Sequence, residues 1–304
     1  MKTCYVERRF SKRSEKLIQI ANEIIEEYQG QGYELTLRQL YYQFVSRDII
    51  PNSQKEYKNL GSVVNDARLA GLVDWDAIVD RTRNLQGNVH WESPAEMLEY
   101  RTKSYQIDKW EGQKYRPEVW IEKDALLGVI EGVCRGQDVS YFSCRGYTSQ
   151  SEMHSAAKRM ERYSEDGQIP VVVHLGDHDP SGKDMSRDIQ DRLDLFTEPG
   201  IIKVVRVALN MSQIKEYKPP PNPAKITDSR SGPYIAEFGK SSWELDALDP
   251  KVLSDLVEKT VGGYRDLDLW RKKTLIEKAH KAMLEKAAKK MKSPSTPDTE
   301  KGAE

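Results

Sequence analysis

The segment VVVHLGDHDPSG, residues 171–182, decides the fold class of this chain. Its first half is mostly apolar and β-branched, which favours a buried strand, and the strand runs directly into Asp177 and Asp179. Because alternate residues of a strand point to the same side, these two carboxylates should face one way and His178 the other. Pro180 disfavours helical geometry at the residue before it. The segment therefore predicts a strand that ends in a carboxylate pair and then turns into a helix.

Short apolar runs alternate with helical patterns on both sides of this segment. Strands are predicted at 118–123, 139–144, 169–175 and 201–209, with helices at 125–134, 150–163 and 183–196 between them and a final helical part at 249–292. Such alternation predicts a parallel sheet with helices on both faces. Sheets of this kind bind ligands beyond the carboxyl ends of their strands. The fold class is therefore α/β, with the carboxylate pair at the edge where a ligand would bind.

Three amphipathic helices are predicted before the sheet. They cover residues 14–30, the stretch that follows Thr36 as N-cap, and residues 53–70, with Gly71 as the residue that ends the third helix. Residues 77–83 are predicted to be an extended wing. This order resembles a winged helix-turn-helix, whose third helix commonly enters the major groove of DNA. Three-helix modules also serve as protein contacts, and the pattern alone leaves that alternative open.

These elements divide the chain into four predicted parts. Residues 1–83 form a winged-helix DNA-binding domain, and residues 84–117 form a linker with one short helix. Residues 118–292 form a metal-binding α/β domain with a parallel central sheet and a C-terminal helical extension. Residues 293–304 are predicted to be a disordered polar tail.

Composition narrows the class of protein further. Charged residues make up 31% of the chain, its mean hydropathy is −0.72, and no apolar run approaches the ~20 residues needed to cross a bilayer. We therefore expect no membrane association and a cytoplasmic protein, associated with the nucleoid if the source is a prokaryote. The net charge is −1, but basic residues gather near the start and in the last helical stretch. They fit a DNA-facing periphery, although an ordinary solvated helix face has the same pattern.

A third carboxylate is predicted to join the pair. Glu122 ends an earlier strand and could lie next to Asp177 and Asp179. Three clustered carboxylates repel one another unless a cation joins them, and Mg²⁺ favours carboxylates, waters and phosphate oxygens. A lone D-x-D is common on loops, but the strand context and the upstream glutamate favour a Mg²⁺ site, with Mn²⁺ as a substitute. His178 is predicted to lie at the surface or beside the site rather than to bind the metal.

Four motifs carry a resemblance to a known family. WIEKDA at 120–125, CRGY at 144–147, GDHDPSG at 176–182 and WELDAL at 243–248 resemble successive motifs of the topoisomerase VI A subunit and of the related meiotic double-strand-break protein. The first three resemble motifs of a Toprim domain. In the family, Pro-Asp usually follows Gly-Tyr, where this chain has Thr-Ser at 148–149. The resemblance covers about residues 14–256 and implies a Toprim fold for the α/β domain.

The family also carries an R-x-x-Y-Y motif in a winged-helix domain that precedes Toprim, and residues 38–42 match it as RQLYY. The resemblance implies that the second tyrosine, Tyr42, is the nucleophile. Helical spacing is consistent with that choice, because Tyr41 belongs to the apolar stripe of its helix whereas Tyr42 lies off the stripe and four residues after Arg38. Arg38 could then hold a phosphate while the phenol attacks it. Without the neighbouring motifs, Tyr42 would be interpreted as a partly exposed helix residue.

The resemblance implies Mg²⁺-dependent cleavage of double-stranded DNA by tyrosyl transesterification, as in a type IIB topoisomerase A subunit. It implies a homodimer, because the family places the metal opposite the tyrosine of the other protomer. The sequence contains no G-x-x-x-x-G-K-[ST] loop, so the chain would need a separate ATPase subunit of the B type for strand passage, or would act without ATP as a minimal, free-standing A-like protein. Two alternatives remain open at this point: a Toprim nuclease that uses metal-activated water, and a non-catalytic DNA-binding protein whose metal stabilises the fold.

Overall fold

A computed structural model describes residues 2–79, 88–225 and 227–291, in which helices and a parallel sheet form a mixed α/β fold. The helices are α1 (Lys12–Gly30), α2 (Leu37–Ser46), α3 (Gln54–Leu69), α4 (Pro94–Ser104), α5 (Leu127–Gly136), α6 (Gln150–Glu165), α7 (Pro180–Phe196), α8 (Met211–Tyr217), α9 (Ser231–Phe238), α10 (Pro250–Gly262) and α11 (Leu267–Met291). The strands are β1 (Tyr115–Ile121), β2 (Ser140–Ser143), β3 (Ile169–Leu175), β4 (Lys203–Ala208), β5 (Asn222–Pro223) and β6 (Ser241–Ser242). Within the described ranges, no helix is both long and apolar enough to span a membrane.

The three predicted N-terminal helices are confirmed as α1, α2 and α3. Thr36 caps α2 in a reciprocal capping box, in which its hydroxyl accepts from the amide of Gln39 and the Gln39 side chain accepts from the amide of Thr36. After α3 the chain turns at Gly71, whose φ is +72°. A Cβ at this position would lie 2.8 Å from the backbone nitrogen of Cys4, so the turn excludes a side chain for two independent reasons.

The predicted extended segment at 77–83 is only partly described. Trp75–Ala77 forms a 3-10 turn, so the expectation of an extended backbone is wrong at Ala77. The local cause is Asp74, whose carboxylate accepts from the amide of Asp76 and caps this turn. Ile78 then forms a single parallel bridge with Leu35. Residues 80–83 lie outside the described ranges, and the winged-helix assignment stays a prediction.

The predicted parallel sheet is confirmed, with strand order β2-β1-β3-β4 and all three pairings parallel. One face presents Trp120 and Val172, which pack against α6 and α7. Val119 and Val173 point to the opposite face by strand alternation, and α5 and α10 pack against each other and against the sheet there. In the register of the sheet, Ile121 pairs with both Ser143 and Leu175, so β1, β2 and β3 end at one level.

The first strand begins earlier than predicted. β1 starts at Tyr115 rather than at residue 118, so the last part of the predicted linker 84–117 is a strand. This start was not predicted because of Pro117, since a proline within an apolar run argues against a central strand. It nevertheless pairs in register with Val171.

The chain forms two compact units, and their limits differ from the predicted domains. Among the described residues, 2–79, 114–225 and 227–264 form the first unit, whereas 88–113 and 265–291 form the second. In the second unit α4 packs along α11, and Trp110 meets Trp270 edge to face. Because α11 pairs with α4, this part of the predicted helical extension groups with part of the predicted linker, whereas α10 packs on the sheet as part of the first unit. The predicted tail at 293–304 lies outside the described residues.

Candidate active site

The predicted junction between strand and helix lies at the carboxyl end of β3. The strand ends at Leu175, and Asp179 caps α7 by accepting from the amide of Gly182 at 2.6 Å. A Cβ on Gly182 would lie 2.3 Å from the carbonyl oxygen of Asp177. Glycine is therefore required where α7 passes residues 176–179, which we call the carboxylate loop. The helix begins at Pro180, three residues before its predicted start, because proline suits the first turn of a helix.

The three predicted acids converge on this loop, although each accepts from a different group. Glu122 follows β1, and its Oε2 accepts from the backbone amide of Asp177 at 2.7 Å. The Oδ1 of Asp177 accepts from the amide of Leu245 at 2.7 Å, while its Oδ2 lies 3.0 Å from the ammonium of Lys123. Asp179 contributes one carboxylate oxygen to the helix cap. The loop thus holds all three carboxylates at one end of the sheet.

Burial makes two of these carboxylates unusually basic. Burial, with the nearby charge of Asp177, raises the pKa of Glu122 from an ordinary value of 4.5 to about 7. Burial, with the charge of Asp246, raises the pKa of Asp177 to about 6, although Lys123 acts in the opposite direction. The raised pKa values indicate that the surroundings of these two carboxylates compensate their negative charge only in part.

Arg206 on β4 holds the backbone of this loop, and sequence reasoning missed it. Its guanidinium donates to the carbonyl oxygens of Gly176, Asp177 and Gly182 at 2.6–2.9 Å. Burial lowers its pKa to about 10, but the group stays charged at neutral pH. The alternating pattern of β4 gave no hint that this residue would reach the loop rather than solvent.

The loop residues fit a magnesium ion that is bound partly by protein and partly by other oxygens. Among the described residues, no group of three His, Cys, Asp or Glu side chains is arranged to enclose a metal. Asp177 and Asp179 both line an open cleft, whereas Glu122 is absent from its lining and supports Asp177 through the backbone amide. Mg²⁺ commonly takes one or two carboxylates and completes its coordination with waters and phosphate oxygens. The carboxylate oxygens of Asp177 and Asp179, with negative charge that is only partly compensated, suit that arrangement.

His178 is buried, which differs from the surface position considered for it. Its Nδ1 lies 2.8 Å from the hydroxyl of Tyr234, and its ring packs edge-on against Phe238 and Trp243. Burial lowers its pKa to about 4, so the ring is neutral at physiological pH. These contacts give His178 a packing role beside the acids.

A network of ion pairs lies beside the carboxylate loop, and sequence reasoning did not predict it. The ammonium of Lys123 lies 3.0 Å from Asp177, 2.9 Å from Glu244 and 2.9 Å from Asp246. Burial alone would raise the pKa of Glu244, yet the charges and hydrogen bonds of Lys123 and Arg38 together outweigh it, and the pKa falls to about 2. The WELDAL segment was noticed only for its resemblance, and nothing in its pattern indicated that its two acids would share a lysine with Asp177.

Arg38 joins the same network from α2. Its Nε lies 2.8 Å from Asp246 Oδ2, and its Nη2 pairs with Glu244. The guanidinium carbon lies 5.8 Å from the ring centroid of Tyr42. The predicted neighbours Arg38 and Tyr42 are therefore together on one face of α2, as their spacing indicated.

Tyr42 is buried, so the expectation of a partly exposed side chain is wrong. Only 3% of Tyr42 and 4% of Tyr41 is exposed, and both belong to the core of the N-terminal helices. The physical reason is the turn at 245–247, which packs against α2 from a distant part of the chain. Burial, with the charges of Asp246 and Glu244, raises the pKa of the Tyr42 phenol although Arg38 lowers it.

Tyr41 has a structural use for its hydroxyl. It accepts from the amide of Ser53 at 2.8 Å and lies 3.0 Å from the side-chain oxygen of Asn52. These bonds tie α2 to the start of α3. They agree with the packing role predicted for Tyr41.

One cleft brings most of the predicted site residues together. It has a volume of about 390 Å³, and its lining includes Arg38, Tyr42, Asp177 and Asp179. Most residues that line the cleft are polar. Their side chains are of types that contact phosphate and sugar oxygens in protein–DNA complexes. The cleft therefore combines a phenol, a guanidinium and a carboxylate pair within one chain, which differs from the resemblance, since that implies a metal opposite the tyrosine of the other protomer.

Comparisons with protein-family models, with curated proteins and with solved structures found no match. The resemblance therefore rests on the motifs quoted above.

The charge of Glu122 gives a testable dependence of stability on pH. Because the folded-state pKa of Glu122 is raised, the folded protein binds more protons than the unfolded chain between about pH 4.5 and 7. We expect the free energy of unfolding to fall by about 1–3 kcal/mol as the pH rises through that window. Urea unfolding of the wild type and of Glu122→Gln at pH 5 and pH 7.5 measures it.

The variant is needed because Asp177, whose pKa is also raised, acts in the same direction as Glu122, whereas buried His174 and His178 have lowered pKa values and act in the opposite direction below pH 6.5. Subtracting the Glu122→Gln curve removes their contribution. Added Mg²⁺ should restore stability at pH 7.5 in the wild type more than in the variant. Identical pH profiles for the two proteins would show that Glu122 is not buried against like charge.

Proposed function

We propose that this chain cleaves double-stranded DNA by Mg²⁺-dependent tyrosyl transesterification, in the manner of a type IIB topoisomerase A subunit. The observation that carries the proposal is the shared cleft, in which Arg38 and Tyr42 of α2 lie with Asp177 and Asp179 of the carboxylate loop. A phosphodiester needs a nucleophile, a cationic group for its oxygens and a way to stabilise the leaving oxygen. The residues of this cleft supply the first two and fit a metal for the third.

The proposed reaction exchanges one phosphate ester for another. The phenolic oxygen of Tyr42 attacks the phosphorus of a backbone phosphate and loses its proton, while the bond from phosphorus to a deoxyribose oxygen breaks and that oxygen takes up a proton. Arg38 binds the non-bridging oxygens and keeps the phosphorus in line with the phenol. Asp177 and Asp179 would hold Mg²⁺, with Glu122 supporting the loop, and the bound ion would stabilise charge on the phosphate and the leaving oxygen.

Because the reaction exchanges one phosphodiester bond for another of similar free energy, the reverse reaction can reseal the strand. One tyrosine cleaves one strand, so a double-strand break requires two copies of the chain, and we propose a homodimer. Strand passage would additionally require a separate ATPase of the B type, because the sequence has no Walker A loop.

The proposal also assigns a winged helix-turn-helix and a Toprim domain to this α/β fold. The three capped helices and the bridge between Leu35 and Ile78 support a winged helix-turn-helix. The four-stranded parallel sheet, with Glu122 after one central strand and the aspartates after the next, supports a Toprim domain.

One observation favours a second candidate, a Toprim nuclease. Tyr42 is almost fully buried, and the acids beside it raise its pKa, which disfavours the phenolate. In a nuclease, water held at the carboxylate loop would attack the phosphate and Tyr42 would only pack. The two reactions leave different ends on the DNA, which allows a direct test.

The test incubates the purified protein with end-labelled linearised plasmid and Mg²⁺ or Mn²⁺, followed by denaturation with detergent. Transesterification predicts broken DNA whose label migrates with the protein until protease is added. Broken DNA that is free of protein would favour the nuclease. Intact plasmid under all these conditions would contradict both candidates and leave a DNA-binding role.

A further inference from the structure

The guanidinium that should bind DNA phosphate is already bound to two acids. Arg38 pairs with Glu244 and Asp246, and the side chain of Asp246 is only 2% exposed. Those acids belong to the turn at 244–247 that packs against α2. The ion pairs therefore hold α2 against this turn, where Arg38 and Glu244 line the cleft.

The fastened arrangement does not suit attack on a phosphate. Tyr42 lines the cleft but is only 3% exposed, so little of its side chain is open to a phosphate in this conformation. The charges of Glu244 and Asp246 also disfavour the phenolate and repel a phosphate. If the two acids served only to orient Arg38 for DNA, they would oppose the nucleophile that Arg38 is meant to assist.

Opening the contact would leave the acids paired. Lys123 lies 2.9 Å from both Glu244 and Asp246, so these carboxylates keep a cation when Arg38 leaves. Removing the only partner of a buried charge is strongly destabilising, and Lys123 avoids that penalty. A DNA phosphate offers Arg38 a bidentate partner of the same charge type. Arg38 therefore exchanges its carboxylate partners for a phosphate, and the two acids keep Lys123 as their partner.

We propose that the ion pairs of Arg38 with Glu244 and Asp246 form an autoinhibitory latch, which a DNA backbone phosphate opens by taking Arg38. The latch rests on the proposed function, because it assigns DNA as the ligand of the cleft. It predicts that binding of DNA loosens α2 from the turn at 244–247 and uncovers Tyr42.

The test weakens the latch without touching Arg38 or Tyr42. Glu244→Gln and Asp246→Asn each remove one of its negative charges, and Glu244 is the safer change because its side chain is 26% exposed. The matched control is Asp255→Asn, which removes the same charge from an exposed pair with Lys251 on α10. Binding of a labelled 24-base-pair duplex is measured by fluorescence anisotropy in EDTA, where no cleavage occurs, and hydrogen exchange of the α2 amides is measured without DNA.

The expected result is DNA binding about tenfold tighter in each latch variant than in Asp255→Asn, because less attraction must be broken. The α2 amides should exchange about tenfold faster in the latch variants and unchanged in the control. Equal affinity and equal exchange in all three variants would overturn the latch while leaving the proposed function standing. Absence of DNA binding by every protein, including the wild type, would overturn both.

Discussion

Tyr42→Phe is expected to abolish the covalent protein–DNA product, with a loss on the order of 10³-fold or more. Phenylalanine keeps the buried ring beside Arg38 and removes only the attacking oxygen, so folding should be preserved. The measurement is the fraction of end label that stays with the protein after denaturation. Circular dichroism and the unfolding midpoint check that the variant is native.

The matched control for this change is Tyr41→Phe, one residue earlier on α2. It loses hydroxyl contacts with Ser53 and Asn52, which should lower the free energy of unfolding by about 1 kcal/mol while the covalent product is kept. Undiminished cleavage by Tyr42→Phe would remove the tyrosine from the chemistry and leave the water-based nuclease. Loss of product in Tyr41→Phe alone would reverse the assignment of the two tyrosines.

Asp177→Asn should reduce cleavage on the order of 10²–10³-fold, because it removes one of the two carboxylates proposed to hold Mg²⁺ at the cleft. Asparagine is nearly isosteric and can still accept from the amide of Leu245. DNA affinity in EDTA should therefore not fall. Calorimetric titration with Mn²⁺ should show weaker metal binding than in the wild type.

Asp184→Asn gives a control at an aspartate outside the site. Asp184 lies on α7, close to the carboxylate loop in sequence, but pairs with Arg187 and Arg230. We expect it to keep wild-type cleavage and Mn²⁺ affinity. Full cleavage by Asp177→Asn would rule out the carboxylate loop as the metal site.

Local patterns predicted the elements that local physics determines. The limits of β3 were predicted correctly as 169–175, because a buried apolar run ends there at polar residues and a proline. The start of α2 after Thr36 was predicted because threonine is a preferred N-cap residue, and this preference depends only on nearby backbone amides. The convergence of Glu122, Asp177 and Asp179 followed from the rule that neighbouring parallel strands end at the same edge.

Contacts between distant segments could not be predicted in the same way. The burial of Tyr42 depends on a turn about 200 residues later in the chain, which helix periodicity cannot register. The roles of Lys123 and Arg206 were missed because the chain has 47 lysines and arginines, and only the fold selects which of them meet buried acids or carbonyls. The pairing of α4 with α11 was missed for the same reason.

The most direct test of the account is the identity of the residue that carries DNA. Cleavage with a short duplex, followed by nuclease and trypsin digestion, leaves a nucleotide on the peptide that was attached. Trypsin should release residues 39–47, which contain both tyrosines, and fragmentation in the mass spectrometer distinguishes them. The account predicts the nucleotide mass on Tyr42. A nucleotide on Tyr41 or on another peptide, or cleaved DNA with no modified peptide, would contradict it.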